Sequence, residues 1–227
     1  MVRSLPEPVR PLRGGLTWAW RPSDPWLRVY HRDDRTPHAD ARRAFGPQHR
    51  MDHHTPPASA PAVCPTGRSV IYLARTLRTC GVEIFGDAQE AVLCPHWSVA
   101  ALAPPRPIVV QDLRDNGAML IGALPALGSG AEPRVATQAW ARAIYEDRPG
   151  SPEILGVRYS GAHDEGSCLA LWEGTPPLAV IEEHPLRFAP IFQRFVIAMS
   201  EVGVAVTVAP NTECVRCRDA ISRGHPC

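Results

Sequence analysis

Twenty-five of the 227 residues are proline. Proline fixes φ, donates no backbone hydrogen bond and restricts the residue before it, so a chain this rich in it cannot build long helices. Few, short helices and many stiff connections follow. The 17 glycines bring the Pro and Gly total to about a fifth of the chain, below the level of a disordered sequence. A chain of this length makes one large domain or two small ones and buries roughly 70% of its unfolded surface.

No N-terminal stretch has the pattern of a signal peptide, and no run approaches the ~18 apolar residues that span a bilayer. The expectation is a soluble, cytoplasmic protein without membrane contact. Its seven cysteines, at 64, 80, 94, 168, 214, 217 and 227, are then expected as thiols.

Lys and Arg together number 24, and all 24 are arginine. The absence of lysine argues against Schiff-base chemistry, P-loop nucleotide hydrolysis and kinase activity. A coding bias accounts for most of it. Every cation is still a planar fork suited to phosphate and carboxylate. Residues 1–50 carry a balance of +5 and the remainder −4. The arginines are not interleaved with aromatics, so direct nucleic-acid binding is not expected.

Residues 1–25 read as a loosely packed Pro/Arg-rich extension, touching the body through Trp18 and Trp20. Residues 26–208 read as the main domain and 209–227 as a cysteine-containing tail. Within the domain, alternation predicts strands at 26–31, 68–75, 107–113, 154–160, 168–173, 177–182 and 202–208. Helical spacing predicts helices at 77–86, capped by Thr76, at 135–147 and at 188–200. Residues 39–48 read as a helical turn and 52–67 as a proline-rich loop. Strands and helices mix without regular βαβ alternation, which indicates an α+β fold.

No GxGxxG, GxSxG, HExxH or EF-hand loop is present. Cys214-Val-Arg-Cys217 with His225 and Cys227 offers four soft ligands for zinc. With one CxxC and a terminal cysteine, the set reads instead as a frayed tail, and no metal is expected. His49, His53 and His54 border a proline-rich loop and read as solvent-exposed.

Four segments are more informative together. Leu27-Arg28-Val29-Tyr30 places an arginine on a strand. His49-Arg50-Met51-Asp52 places one in a loop. Ile71-Tyr72-Leu73-Ala74 precedes Glu83 across a strand–helix unit. Gly156-Val-Arg-Tyr159-Ser160 ends a strand in a hydroxyl. In this order, with "YLARTLRTCGVE", "PIVVQDL", "TQAWARAI" and "GVRYSGAHDEGSCLALW", the chain resembles the RES-domain family over roughly residues 26–200. One departure is visible: the family commonly has Gly-Arg-Phe where this chain has His49-Arg50-Met51, so a differently shaped loop is expected around Arg50.

The resemblance implies an ADP-ribosyltransferase-like fold of two packed sheets around an NAD⁺ cleft. It implies an NAD⁺-consuming toxin of a bacterial toxin–antitoxin pair, with NAD⁺ and a cognate antitoxin as partners. The site residues it implies are Arg28, Arg50, Tyr72, Glu83 and Ser160. Arg28 and Arg50 would clamp the diphosphate, Tyr72 would face the nicotinamide, and Ser160 would hydrogen-bond the ribose or the amide. Glu83 would stabilise positive charge developing on the ribose. The residues leave two alternatives open: ADP-ribosylation of a target protein, or a non-catalytic module binding NAD⁺ or zinc.

Overall fold

The alternating apolar segments do form strands, and strands from distant parts of the chain are brought together. A computed structural model describes residues 4–129 and 132–225. Its strands are β1 (Leu16–Trp20), β2 (Trp26–His31), β3 (Phe45–Gly46), β4 (Ala62–Val63), β5 (Val70–Ala74), β6 (Glu90–Leu93), β7 (Trp97–Ala103), β8 (Ile108–Asp112), β9 (Gly156–Ser160), β10 (Ser167–Trp172), β11 (Ala179–Pro185) and β12 (Ala205–Val208). The helices are α1 (Leu77–Phe85), α2 (Gly117–Leu120), α3 (Ala126–Ser129), α4 (Arg134–Asp147), α5 (Ala189–Ser200) and α6 (Val215–Ser222). The fold is α+β.

Eight strands form one sheet in the order β1-β8-β9-β10-β5-β2-β7-β11. The two separate packed sheets expected from the sequence are therefore not found. Between β5 and β2 the pairing thins to one residue pair, Leu27 with Ala74. The sheet curls there. Trp18 of β1 and Trp26 of β2 stand five places apart in the strand order, yet their rings lie 5.8 Å apart.

The curl makes two cores. One lies inside it and comes mainly from strands, with Trp20, Trp26, Ile71, Leu102, Val110 and Leu171. The other lies on the opposite face, where the helices pack: Val82 and Phe85 of α1, Trp140 and Ile144 of α4, Phe195 and Met199 of α5. Side chains alternate along each strand, so odd and even positions feed different cores. Tyr72 of β5 and Tyr159 of β9 belong to the helix-covered face.

Other expectations also change. Residues 1–25 are not loosely packed: β1 pairs with β8 over five residues, Trp20 is fully buried, and Trp140 donates its indole N–H to the carbonyl of Pro6. No helix forms in 39–48, where Arg43 bridges to Val70 beside β3. His53 and His54 are fully buried rather than exposed. Residues 209–225 are not a frayed tail: the Ala209 amide donates to the Leu93 carbonyl, and α6 buries Cys217 and Ala220. Cys227 lies outside the described residues. Among the described residues, no helix is long and apolar enough to cross a membrane.

Candidate active site

The site is assembled around the turn that leaves β9. Thr76 caps α1, its hydroxyl oxygen accepting from the Thr79 amide at 3.0 Å. That cap fixes the start of the helix and so the direction of each later side chain. Thr76, Thr79 and Glu83 follow at helical spacing on one face. Thr79 donates to Asp164 at 2.9 Å, and Glu83 Oε1 accepts from the Ala162 amide at 2.6 Å. Both contacts reach the β9–β10 turn. Gly161 permits this approach, because a Cβ there would stand 2.9 Å from Glu83 Oε1.

Arg50 comes to the same turn from another direction. Its guanidinium donates to the carbonyls of Ser160 at 3.1 Å and Leu127 at 2.8 Å, and lies 5.0 Å from the centre of the Tyr159 ring. Met51 beside it is fully buried in the helix-covered core. Its flexible thioether packs into that core and anchors the loop.

Tyr72 closes the next wall. Its hydroxyl donates to Asp52 at 2.6 Å, and its ring meets the His49 ring edge-on at 5.5 Å. Asp52 is a hub. It also accepts from Arg43 Nη2 on both oxygens, at 2.8 and 2.7 Å, and from the amides of Gln48 and His49. Burial alone would raise the Asp52 pKa, but the charge of Arg43 and these hydrogen bonds hold it down at about 2.

Burial is the largest cause of the shifts at Glu83, Tyr72 and His49, raising the first two and lowering the third. Yet Glu83 and Tyr72 are only half-buried and His49 is exposed. At Glu83 the Ala162 amide and the charge of Arg50 oppose the rise.

Of the five residues the resemblance implies, the structure brings Arg50 and Glu83 to one turn and ties Tyr72 to the Arg50 loop through Asp52. Ser160 joins through its carbonyl. It stands opposite Ser167 across β9 and β10, and the Ser167 hydroxyl accepts from Arg158 and Arg114. Arg28 is not brought in. Its neighbours Trp26 and Tyr30, two residues away on each side, belong to the inner core, and its guanidinium donates to the carbonyls of Ala39 and Ala41 at 2.5 and 2.8 Å. Burial lowers its pKa to about 10. These contacts hold its guanidinium on backbone carbonyls inside the curl.

The sequence reading passed over Asp52, Tyr159 and Arg216 as site residues. Asp52 follows Arg50 by two residues, and Tyr159 sits beside Ser160 in the motif that was read. Arg216 is exposed at the start of α6, where its charge acts on His49. Its guanidinium lies 5.4 Å from the Trp97 ring. An open depression at the β1 edge, lined by Thr17, Trp18, Arg21 and Asp24, gathers no comparable set of groups.

The family model of the RES domain matches residues 25–191. The chain belongs to the RES-domain family. The matched span includes every residue of the site except Arg216. The RES fold of this chain is similar to that of a chain in the crystal structure of the M. tuberculosis MbcT–MbcA toxin–antitoxin complex. The TM-score is 0.51 and the identity 18%, with 81% of this chain and 93% of that one covered. No protein of curated function matches.

Proposed function

We propose that this RES-domain protein is an NAD⁺-degrading toxin that cleaves the nicotinamide–ribose bond and is restrained by a cognate antitoxin. The observation that supports this reading is the meeting of Glu83 and Arg50 at one turn. Ala162 N–H holds Glu83, and the Ser160 carbonyl holds Arg50. A carboxylate and an arginine are thereby fixed at one turn, with Tyr72 hydrogen-bonded to Asp52 two residues beyond Arg50.

In the proposed reaction the C–N bond to ribose breaks and its electron pair returns to the pyridinium ring. Nicotinamide leaves as a neutral molecule without prior protonation. Positive charge develops on the ribose, and the Glu83 carboxylate faces it. Water or phosphate then bonds to the ribose carbon and loses a proton. Arg50 places a positive charge at the turn beside Glu83, where it would favour the dinucleotide's anionic portion. Tyr72 offers a flat face to the nicotinamide, its hydroxyl fixed by Asp52. No step needs a lysine or a metal.

The neighbouring structure is a toxin–antitoxin complex, which favours an antitoxin partner here. Such a pair acts in the bacterial cytoplasm. The test is NAD⁺ loss by the purified protein, with and without phosphate. Free ADP-ribose, or its phosphate ester when phosphate is present, is the expected product. Glu83→Gln abolishes the loss while the circular dichroism spectrum stays unchanged. Labelled protein instead of free product would point to ADP-ribosyl transfer, and unchanged turnover in Glu83→Gln would refute the site.

A further inference from the structure

We propose that His31, Cys94, Cys214 and Cys217 form a structural zinc site that ties the C-terminal segment to the sheet. His31 ends β2, Cys94 follows β6, Cys214 caps α6, and Cys217 lies in the first turn of α6. Their ligand atoms all lie within 4.8 Å of one another, and all four residues are buried.

The separations are those a tetrahedral ion imposes. With Zn–S about 2.3 Å and Zn–N about 2.0 Å, a tetrahedron puts sulfurs about 3.8 Å apart and sulfur about 3.5 Å from nitrogen. His31 Nε2 lies 3.3 Å from Cys94 Sγ, 3.4 Å from Cys217 Sγ and 3.7 Å from Cys214 Sγ. Cys94 and Cys217 Sγ are 3.6 Å apart. Hydrogen bonding does not explain three sulfurs around one imidazole nitrogen, because that nitrogen carries a single proton or a single lone pair.

Two further observations agree. Asp33 Oδ2 lies 3.5 Å from His31 Nδ1, the place of the carboxylate that orients a zinc-bound histidine. The helix itself packs on few apolar groups: α6 buries only Cys217 and Ala220, while Val215 and Ile221 are exposed. Three thiolates and one imidazole, with no position left open, make a structural set and not a catalytic one.

Cys217 is disulfide-bonded in the structure, so the metal-loaded form follows reduction. Two equivalents of a thiol reductant deliver two electrons and two protons to that bond, yielding the reductant's disulfide and two protein thiols. Zinc then binds three thiolates and releases three protons. The sequence suggested His225 and Cys227 as companions of the CxxC pair. His225 is exposed and faces Asp34, and the ligands that converge come from His31 and Cys94.

The test uses the full chain purified with a thiol reductant. The expected results are one zinc per chain by elemental analysis and, after exchange, cobalt spectra with thiolate charge-transfer and tetrahedral ligand-field bands. Cys94→Ser and Cys214→Ser should each lose those bands, and chelator should lower the melting temperature of the parent but not of the variants. Should a variant fail to fold, the stoichiometry and cobalt spectrum of the parent decide. A reduced protein that takes up no zinc overturns the proposal. So does metal retained undiminished in both variants. None of these readouts depends on NAD⁺ turnover.

Discussion

Asp52→Asn isolates the hub that holds the Arg50 loop against Tyr72. In the parent, Asp52 accepts from Arg43, Gln48, His49 and Tyr72 with its side chain fully buried. Asparagine keeps the shape but removes the charge, and its amide NH₂ faces groups that are themselves donors. Removing one member of a buried ion pair costs about 3–5 kcal/mol. Arg43 also donates to the Phe45 carbonyl and to Gln48, so the loss should lie near the lower end. The pH dependence supplies a second check. The Asp52 pKa is about 2 in the folded protein against 3.8 ordinarily. A depressed carboxylate stabilises above its unfolded pKa, and that contribution disappears as pH falls through the folded value. The shift corresponds to about 2 kcal/mol at pH 7, of which about half remains at pH 3. Urea unfolding of parent and variant at both pH values should therefore give a stability gap of about 3 kcal/mol at pH 7 that narrows by about 1 kcal/mol at pH 3. Other carboxylates titrate alike in both proteins and cancel. A gap below about 0.5 kcal/mol, or one independent of pH, would refute the hub.

Three other outcomes are expected. Thr76→Ala should lower stability by about 1 kcal/mol through loss of the α1 cap, read as a shift in the urea midpoint. Arg28→Met should lower the melting temperature, because the Ala39 and Ala41 carbonyls lose their donor, while NAD⁺ turnover per folded molecule stays unchanged; lost turnover at an unchanged melting temperature would return Arg28 to the site. If ionised Glu83 carries the reaction, kcat should fall on acidification at a pH above the ordinary carboxylate range, since burial raises this group; a fall only near the usual value would contradict the enclosed setting.

Much of the fold was legible because its elements announce themselves locally. The α1 cap, α4, α5 and most central strands lie where periodicity and capping put them. β7 was not seen: three of its seven residues are alanine, a helix former, and it is a strand because β2 and β11 pair with it on either side. The two arginines are placed differently for a related reason. Arg28 stands in a row with Trp26 and Tyr30, and that alternation already assigns it to an apolar face. Met51, the departure from the family pattern beside Arg50, is fully buried in the helix-covered core. His53 was read from its loop. There it bonds Glu173 at 3.0 Å against Tyr145 and Trp172, partners more than 90 residues away. Cys214 and Cys217 could not show that His31 and Cys94 lie beside them, since only the closed fold brings the four together.

The strand order also determines when the site comes into being. β1 waits for β8, and β5 for β10, which follows it by almost a hundred residues. The Glu83–Ala162 contact spans 79 residues. Such non-local pairings form slowly and only after the later strand is available. A growing chain that already carries Arg50, Tyr72 and Glu83 thus lacks the turn that holds Arg50 and Glu83 until the β9–β10 hairpin leaves the ribosome. On the proposed function, this delay would confine activity to finished molecules and give a cognate antitoxin time to meet the chain as it folds.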